Sequence, residues 1–545
     1  MRTGPFSRIL PSWQSACLSV LAALLLILAF PDFGFWYLAW FALAPLMWAV
    51  DREKHCVSVC FVLGWMFGFL FFSGTCWWLT YAPIHYAGFP WPLAYFLLFC
   101  VTGVAGLFPA IFAALLAVLL RRYGSRGFLA APFVWVFTEF LRYWVTGNNW
   151  NAAGYSQAFH AIILRSLFAP YGGVLLVGFF LLAVNGSLTI SFVRSQQRFK
   201  KAKNFGKETL RGFFPGLVAS GLLYVFFLVS LFYIGSLLPS VELPAFSETT
   251  NGTVERIIAV QPNVPMSGLD RFKWEKLRAA QIAAAETELT RINEHRTTNS
   301  QPVLVILPES PMNFMYEDDR EFSSYINDFA RRNNVSVLFN SSEPDIATGK
   351  YFNSAVMVGP DGRKMAEYDK MFLLPFGEAV PGPFAGLVPA FVGTFAYGSK
   401  YSLLPVGDAK AGVMICFESH FGQLSREYVR NGADVIIEMT NDGYLGPTPV
   451  LRQHLANAVF RAVETNRPVL RVTNVGITAY INEDGQVLDP APTYTEATRT
   501  WAITRSDGSQ TFYVKYGDWF AWLCSVVTIA LLLLSLRRTS GITDN

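Results

Sequence analysis

At 545 residues the chain has room for two or more domains, and a composition that is 52% hydrophobic, 16% aromatic and only 15% charged, with a mean hydropathy of +0.34, points to a membrane protein rather than a soluble enzyme with one large core. The formal net charge of +4 is too small to imply a nucleic-acid partner. The six histidines are scattered, and no Cys/His spacing suits a metal or calls for a cofactor.

Seven apolar stretches fill the first 238 residues: Ile9–Phe30, Phe35–Val50, Cys56–Leu79, Leu93–Leu120, Phe128–Val145, Gly172–Phe192 and Phe213–Leu238. An eighth follows at Trp519–Leu536. Most approach the roughly 20 residues that a bilayer-crossing helix needs. The first is not a cleaved signal, because a second span follows at once across Pro31–Gly34. If the eight alternate, Arg2, Arg8, Arg52, Lys54, Arg121, Arg122, Arg126, the basic run Arg194–Arg211, and Arg537 with Arg538 all fall on one side. The positive-inside rule makes that side cytoplasmic, along with both termini. The polar segment Pro239–Asp518 then lies outside the inner membrane. Within the fifth span Glu139 and Arg142 stand one helical turn apart, either as an ion pair satisfied inside the bundle or as a functional pair. The polar, aromatic segment Gly147–Gln157 after it is either a loop roofing a lateral opening or a connector.

Four segments follow from these patterns: a membrane domain of seven helices at 1–238, a linker at 239–253 rich in Pro, Ser, Glu and Thr, a polar domain at 254–516, and the eighth helix with a cytoplasmic tail at 517–545. In the polar domain, short apolar runs predict strands at Arg256–Gln261, Val303–Leu307, Val335–Phe339, Ser354–Val358, Gly412–Ile415, Val435–Glu438, Val469–Val472 and Thr478–Ile481. Helices are predicted at Leu269 to about His295, Glu321–Asn333, Gln423–Asn431 and Leu451–Asn466. Turn chemistry at Val358–Arg363 and Asn482–Gln486 predicts hairpins. The alternation means an α/β fold of layered sheets covered by helices.

Three strand ends in this domain carry reactive side chains. Leu307-Pro308-Glu309 sets a carboxylate just past an apolar strand, Lys370 precedes an apolar run that ends in Glu378, and Ile415-Cys416-Phe417-Glu418 supplies a thiol. Of the seven cysteines, the other six lie in or beside long apolar segments, so Cys416 is the candidate nucleophile. If the three sites converge, a carboxylate can take the thiol proton while an ammonium favours the thiolate and steadies an oxyanion.

The ordered set Pro308-Glu309, then Tyr368–Pro381 ending L-P-F-G-E-A-V-P, then I-C-F-E resembles the Glu-Lys-Cys signature of the nitrilase, or carbon-nitrogen hydrolase, superfamily. Joined to the apolar spans, the chain resembles that superfamily's membrane-bound branch, the apolipoprotein N-acyltransferases. Gly154-Tyr155-Ser156-Gln157, Gln261–Pro265 with Lys273-Trp274, Thr440-Asn441-Asp442, Gln453-His454-Leu455, Arg461, Glu464 with Arg467-Pro468, and Thr473-Asn474 extend the likeness along nearly the whole chain. The resemblance implies an eight-helix transmembrane bundle carrying a nitrilase-like αββα sandwich. It implies Glu309 as general base, Lys370 as oxyanion stabiliser, Cys416 as nucleophile, Glu378 as the support of Lys370 and the Phe417 N–H as a second oxyanion donor. Trp274, Glu418 and Tyr444 match positions of substrate contact. Two departures stand out: Phe417 where the family commonly has tyrosine, and Gly443-Tyr444 where a small residue and tryptophan are usual.

The activity so implied is a ping-pong transfer, with a phospholipid as acyl donor, a thioester on Cys416, and the N-terminal diacylglyceryl-cysteine of an apolipoprotein as acceptor. The alternatives are a membrane-tethered amidase, in which water replaces the amine, and a transporter or receptor with an inert outer domain. Against the last, the spans carry little that ionises beyond Glu139 and Arg142.

Overall fold

Two different ways of hiding apolar surface divide the chain. A computed structural model describes residues 9–31, 33–147, 149–160, 162–201, 255–294, 303–375, 377–380 and 395–536. It separates into one unit of Met1–Val241 with Asp518–Asn545 and another of Glu242–Gly517. The span expected at Phe213–Leu238 and the linker at 239–253 lie outside the described residues.

The first unit is helical: α1 Trp13–Ala29, α2 Ala44–Glu53, α3 Val57–Thr75, the short α4 Tyr81–His85, α5 Trp91–Ala105, α6 Leu107–Tyr123, α7 Ala131–Thr146 and α8 Ile162–Lys201. Trp519–Leu536 belongs to the same unit. Among the described residues, three stretches are long and apolar enough to cross a membrane: Val57–Thr75, Trp91–Thr146 and Arg165–Gln197. Trp13–Ala29 and Trp519–Ser535 are shorter apolar helices. Large apolar side chains such as Trp13, Phe96, Val101, Trp522, Val526 and Leu533 are exposed on this unit, as suits a lipid surround. Inside, glycine sets the approach of α3 and α6. A Cβ on Gly64 would lie 2.3 Å from the Pro109 carbonyl oxygen, and one on Gly68 would lie 2.8 Å from Gly106 Cα.

The stretch Leu93–Leu120, expected as one span, is two helices meeting at Gly106. Pro109 lacks the N–H that would bond back to Ala105, so the ladder is interrupted there. Glu139 and Arg142 do not pair with each other among the described ion pairs. Glu139 Oε1 accepts the Ala153 N–H at 2.8 Å, while Arg142 donates to Asn149 Oδ1 at 2.9 Å and lies 4.8 Å over the Phe72 ring. Of the segment expected to roof an opening or connect helices, Asn151–Gln157 is buried, with Ala153–Gln157 a 3₁₀ turn.

The second unit holds two sheets. Its strands are β1 Glu255–Gln261, β2 Val303–Ile306, β3 Val335–Asp345, β4 Lys350–Val358, β5 Lys364–Asp369, β6 Phe395–Ala396, β7 Leu403–Val406, β8 Ala409–Ile415, β9 Val435–Thr440, β10 Val469–Thr473, β11 Ala479–Ile481, β12 Val487–Leu488 and β13 Ala497–Ile503. The first sheet runs β13-β1-β2-β3-β4-β5 with β6 beside β4, and the second runs β12-β11-β10-β9-β8-β7. Helices α9 Arg271–Asn293 and α10 Arg320–Asn333 cover the first sheet, and α11 Gly422–Arg430 and α12 Val450–Thr465 pack on the second. α13 Phe512–Tyr516 closes the unit, and the Trp519–Leu536 helix is α14.

Strand alternation explains the layering. Ile258 and Val260 of β1 join Ile282, Leu289, Phe322 and Phe329 of α9 and α10 in one apolar core. Gln261, one position on, points the other way, and its Oε1 accepts from Thr473 of the second sheet at 3.1 Å. Asp270 and Asp319 cap the two helices, accepting the N–H groups of Lys273 at 2.8 Å and Phe322 at 3.0 Å. On β8, Gly412 lets α11 press close, since a Cβ there would meet the Tyr428 ring at 2.4 Å.

Candidate active site

β8 is an apolar strand that ends abruptly. At Cys416 the backbone turns to φ +53°, a left-handed conformation a non-glycine residue adopts only at a cost of about 1–3 kcal/mol, and enters a short 3₁₀ turn, Cys416–His420. The turn is gripped from several sides. Glu418 Oε2 accepts the Ile415 N–H at 2.8 Å, and His420 Nδ1 bonds the Phe417 carbonyl at 2.8 Å. His454 Nε2 bonds the Cys416 carbonyl at 3.1 Å. Arg461 donates to the carbonyls of Ser419 at 3.0 Å and His420 at 3.3 Å. Among the described residues no acceptor is paired with the Phe417 N–H, one of the amides that a helical first turn leaves unspent.

The carboxylate and the ammonium expected beside the thiol come from the other sheet. Glu309 follows β2, and Lys370 follows β5 with only 1% of its side chain exposed. Lys370 Nζ donates to Glu378 Oε1 at 2.8 Å and lies 3.9 Å from Glu309 Oε1. Asn353 of β4 ties the two carboxylates together, its Nδ2 donating to Glu378 at 2.7 Å and Glu309 at 3.3 Å. Glu309 Oε2 also accepts the Asn441 N–H at 3.1 Å, and Glu378 Oε2 accepts that of Leu374 at 2.8 Å.

Burial pushes the Cys416 thiol well up from its ordinary value, and the charge of Glu309 adds to that while Lys370 opposes it. Burial also raises Glu309, again against the pull of Lys370. Lys370 itself is raised: burial disfavours its charge, but Glu378 and Glu309 more than offset that and keep it cationic. Glu309, Lys370 and Glu378 are thus brought together, with their charges acting on Cys416, which is partly exposed.

The residues expected at the substrate are placed less uniformly. Glu418 is fully buried, and its Oε1 accepts from the Tyr368 hydroxyl at 2.7 Å and the N–H groups of Met371 at 2.8 Å and Phe372 at 3.1 Å. It straps the segment after Lys370 to the turn of Cys416, and burial pushes its carboxyl up to about 7. Trp274 Nε1 donates to the Met312 carbonyl at 2.9 Å, and its ring lies 4.8 Å from the Arg278 guanidinium. Tyr444 is 45% exposed on the 3₁₀ turn Asp442–Leu445.

Sequence reasoning missed Asn353 and a buried charge cluster behind the turn. His454 Nδ1 meets Asp442 Oδ1 at 2.7 Å, and Arg471 reaches Glu438 at 2.6 Å and Asp442 at 2.7 Å. All four are buried. The motifs around Asp442 and His454 were visible, but Glu438 and Arg471 sit inside apolar runs that read only as strands.

Two family models match the chain: "Apolipoprotein N-acyltransferase N-terminal domain" over residues 22–187 and "Carbon-nitrogen hydrolase" over residues 274–513. The apolipoprotein N-acyltransferase of Geobacter metallireducens is 30% identical over 96% of this chain and 95% of its own. That of Thermotoga maritima is 28% identical over 96% of this chain and 94% of its own. Among solved structures, an amidase from Nesterenkonia sp. aligns with a TM-score of 0.36 and 16% identity, over 51% of this chain and 100% of that one.

Proposed function

Because this chain belongs to the apolipoprotein N-acyltransferase family, we propose that it carries an acyl chain from a membrane phospholipid, through a thioester on Cys416, to the α-amino group of a lipoprotein's N-terminal diacylglyceryl-cysteine. What supports the reading is the cluster of Lys370, Glu378 and Glu309, tied through Glu418 to the turn of Cys416, in a chain that also has apolar helices of membrane-crossing length.

In the first step Glu309 takes the thiol proton as Cys416 Sγ attacks the ester carbonyl. Burial, which raises both groups, keeps the thiol protonated at rest and makes Glu309 a stronger base than an exposed carboxylate. Lys370 and the Phe417 N–H face the oxyanion. The ester C–O bond breaks, Glu309 returns its proton to the leaving oxygen, and a lysophospholipid departs. In the second step the neutral amine attacks the thioester carbonyl, its proton passes to Glu309, and as the C–S bond breaks Glu309 hands that proton to Sγ, so Cys416 leaves as thiol and Glu309 is again a carboxylate. Glu378 holds Lys370, and Glu418 straps the oxyanion side to the nucleophile turn. Phe417 has lost a hydroxyl relative to the family's common tyrosine but keeps the N–H that this chemistry uses.

Eight spans, with residues 254–516 on the outward side and both termini cytoplasmic, are the arrangement that the basic loops support. Burying acyl chains is worth about 0.8 kcal/mol per methylene, which favours keeping the tails of both substrates in the bilayer. Trp274 and Tyr444 are the side chains proposed to meet substrate.

The test is full-length protein in phospholipid-containing micelles with a diacylglyceryl-cysteinyl peptide. N-acylated peptide and lysophospholipid in equal amounts, both lost in Cys416→Ala, are expected. Free fatty acid in place of acylated peptide would make the acceptor water and the protein a hydrolase.

A further inference from the structure

The nucleophile's conformation needs a cause. Cys416 sits at φ +53° at the very end of β8, a left-handed conformation that is costly for a non-glycine residue. What reaches its backbone is His454, from the first turns of α12, with Nε2 3.1 Å from the Cys416 carbonyl oxygen. The ring is surrounded by acceptors. Nδ1 faces Asp442 Oδ1 at 2.7 Å, and Nε2 faces both the Cys416 carbonyl and Glu438 Oε1 at 3.1 Å. A ring with acceptors at both nitrogens carries a hydrogen on both and is an imidazolium. Asp442 and Glu438 supply the counter-charge, and Arg471 of β10 bridges the two carboxylates from the far side. Two cations and two anions balance, so the cluster is neutral as a whole although every member is buried.

We propose that His454 is a positioning residue for the nucleophile: its Nε2–H holds the Cys416 carbonyl and so fixes the left-handed turn that aims the thiol at the acyl carbonyl. The ring takes no proton from substrate, and its effect passes through the backbone of Cys416. The same helix contributes Arg461, two turns further on, to the carbonyls of Ser419 and His420. α12 thereby carries the far wall of the turn, and Glu418 carries the near one. The proposal rests on Cys416 being the nucleophile.

Asparagine and glutamine separate the two sides of the ring. Both are neutral, so both remove the same charge from the cluster. The shorter asparagine places its amide near the imidazole Nδ1 position, within reach of Asp442 but not of Cys416. Glutamine places its amide near Nε2, within reach of the Cys416 carbonyl. Full-length His454→Asn and His454→Gln in micelles, given phospholipid without amine, are compared by the single-turnover rate of thioester formation per folded molecule. A misplacement of about 1 Å costs on the order of 10²-fold. His454→Asn is therefore expected to be slower than His454→Gln by roughly 10- to 100-fold, with the half-saturating phospholipid concentration the same in both. Equal rates, or a difference confined to half-saturation, overturn the proposal.

If the variants do not fold, the unmodified protein carries the test. Among the described residues, the groups facing the ring include Asp442, Glu438, Arg471, the Cys416 carbonyl and His420, whose ring centroid is 5.5 Å away. Asp442 and Glu438 offset burial and the charge of Arg471 and raise His454 to about 9. Since Asp442 retains the Nδ1–H, deprotonation removes the Nε2–H. The single-turnover rate must then fall as pH rises through about 9, and a rate that stays level overturns the proposal. An unmodified protein that forms no thioester on Cys416 at any pH removes the premise, and the proposal with it.

Discussion

Removing the charge of Glu378 tests how the site keeps a buried ammonium in place. Lys370 is 1% exposed and held 2.8 Å from Glu378, with Glu309 at 3.9 Å. Breaking a buried ion pair by deleting one partner typically costs about 3–5 kcal/mol, because the remaining charge is left uncompensated. Glu378→Ala should lose stability of that order, while Glu378→Gln, which keeps one oxygen for either Lys370 or the Leu374 N–H, should lose less. The effect on chemistry should be comparable in both. Without Glu378, Glu309 is the carboxylate left within ion-pair distance of Lys370 among the described residues, and the ammonium shifts toward it. That shift spoils the oxyanion position and, by removing one negative charge that raises Glu309 and strengthening the one positive charge that lowers it, makes Glu309 a weaker base. A fall in the acylation rate on the order of 10²-fold is expected, with the acid limb of the pH–rate profile moving to lower pH. Unfolding in denaturant gives the stability, and lysophospholipid release in the absence of amine gives the rate. Glu378→Gln acylating within about threefold of the parent, with an unmoved acid limb, would refute this reasoning.

Further outcomes follow from the same geometry. Glu309→Gln, nearly isosteric, should abolish lysophospholipid release and thioester formation while leaving the fold intact; residual turnover above about one part in a hundred would assign the base elsewhere. Glu418→Gln turns an NH₂ against the N–H groups of Ile415, Met371 or Phe372 and should lower both stability and acylation, by about 1–3 kcal/mol for each donor left unsatisfied, read from thermal unfolding and single-turnover rates. His454 has a folded value of about 9 against 6.5. Because the folded value is the higher, its contribution to stability is complete below pH 6.5 and is lost as pH rises through about 9, about 3 kcal/mol at most; the decline seen in unfolding midpoints should flatten in His454→Gln. Gly412→Ala should destabilise strongly, since the new methyl group lands on the Tyr428 ring at 2.4 Å, and a variant as stable as the parent would mean that α11 can give way.

The elements legible in the sequence were those whose burial follows from local pattern. β1, β2, β8, β9 and β10 are apolar runs buried on both faces, and α9 and α10 begin at aspartates that cap them, so all were readable within a few residues. β13, Ala-Thr-Arg-Thr-Trp-Ala-Ile, was not, and β5, Lys-Met-Ala-Glu-Tyr-Asp, was implied only by the hairpin turn at Val358–Arg363 before it. They are largely polar edge strands whose identity comes from antiparallel pairing with β4 and β1. Glu309, Lys370, Glu378 and Cys416 could be picked out because each stands at the end of an apolar run. The placement of Glu418 could not, because the donors that surround it come from β5, the segment beyond it and the end of β8. The same holds for the His454 cluster, assembled from β9, the loop after it, α12 and β10. In the membrane unit, periodicity suggested a Glu139–Arg142 pair, but tertiary contacts gave each a different partner, which helical spacing alone cannot foresee.

Everything in the catalytic reading depends on a covalent bond between one sulfur and one acyl chain. Full-length protein taken from membranes, or incubated with phospholipid and quenched in acid before any amine is added, should yield a peptide containing Cys416 heavier by one fatty acyl group. Hydroxylamine should remove that mass, and Glu309→Gln should never acquire it. A Cys416 peptide that stays unmodified while N-acylated lipoprotein accumulates would contradict the account.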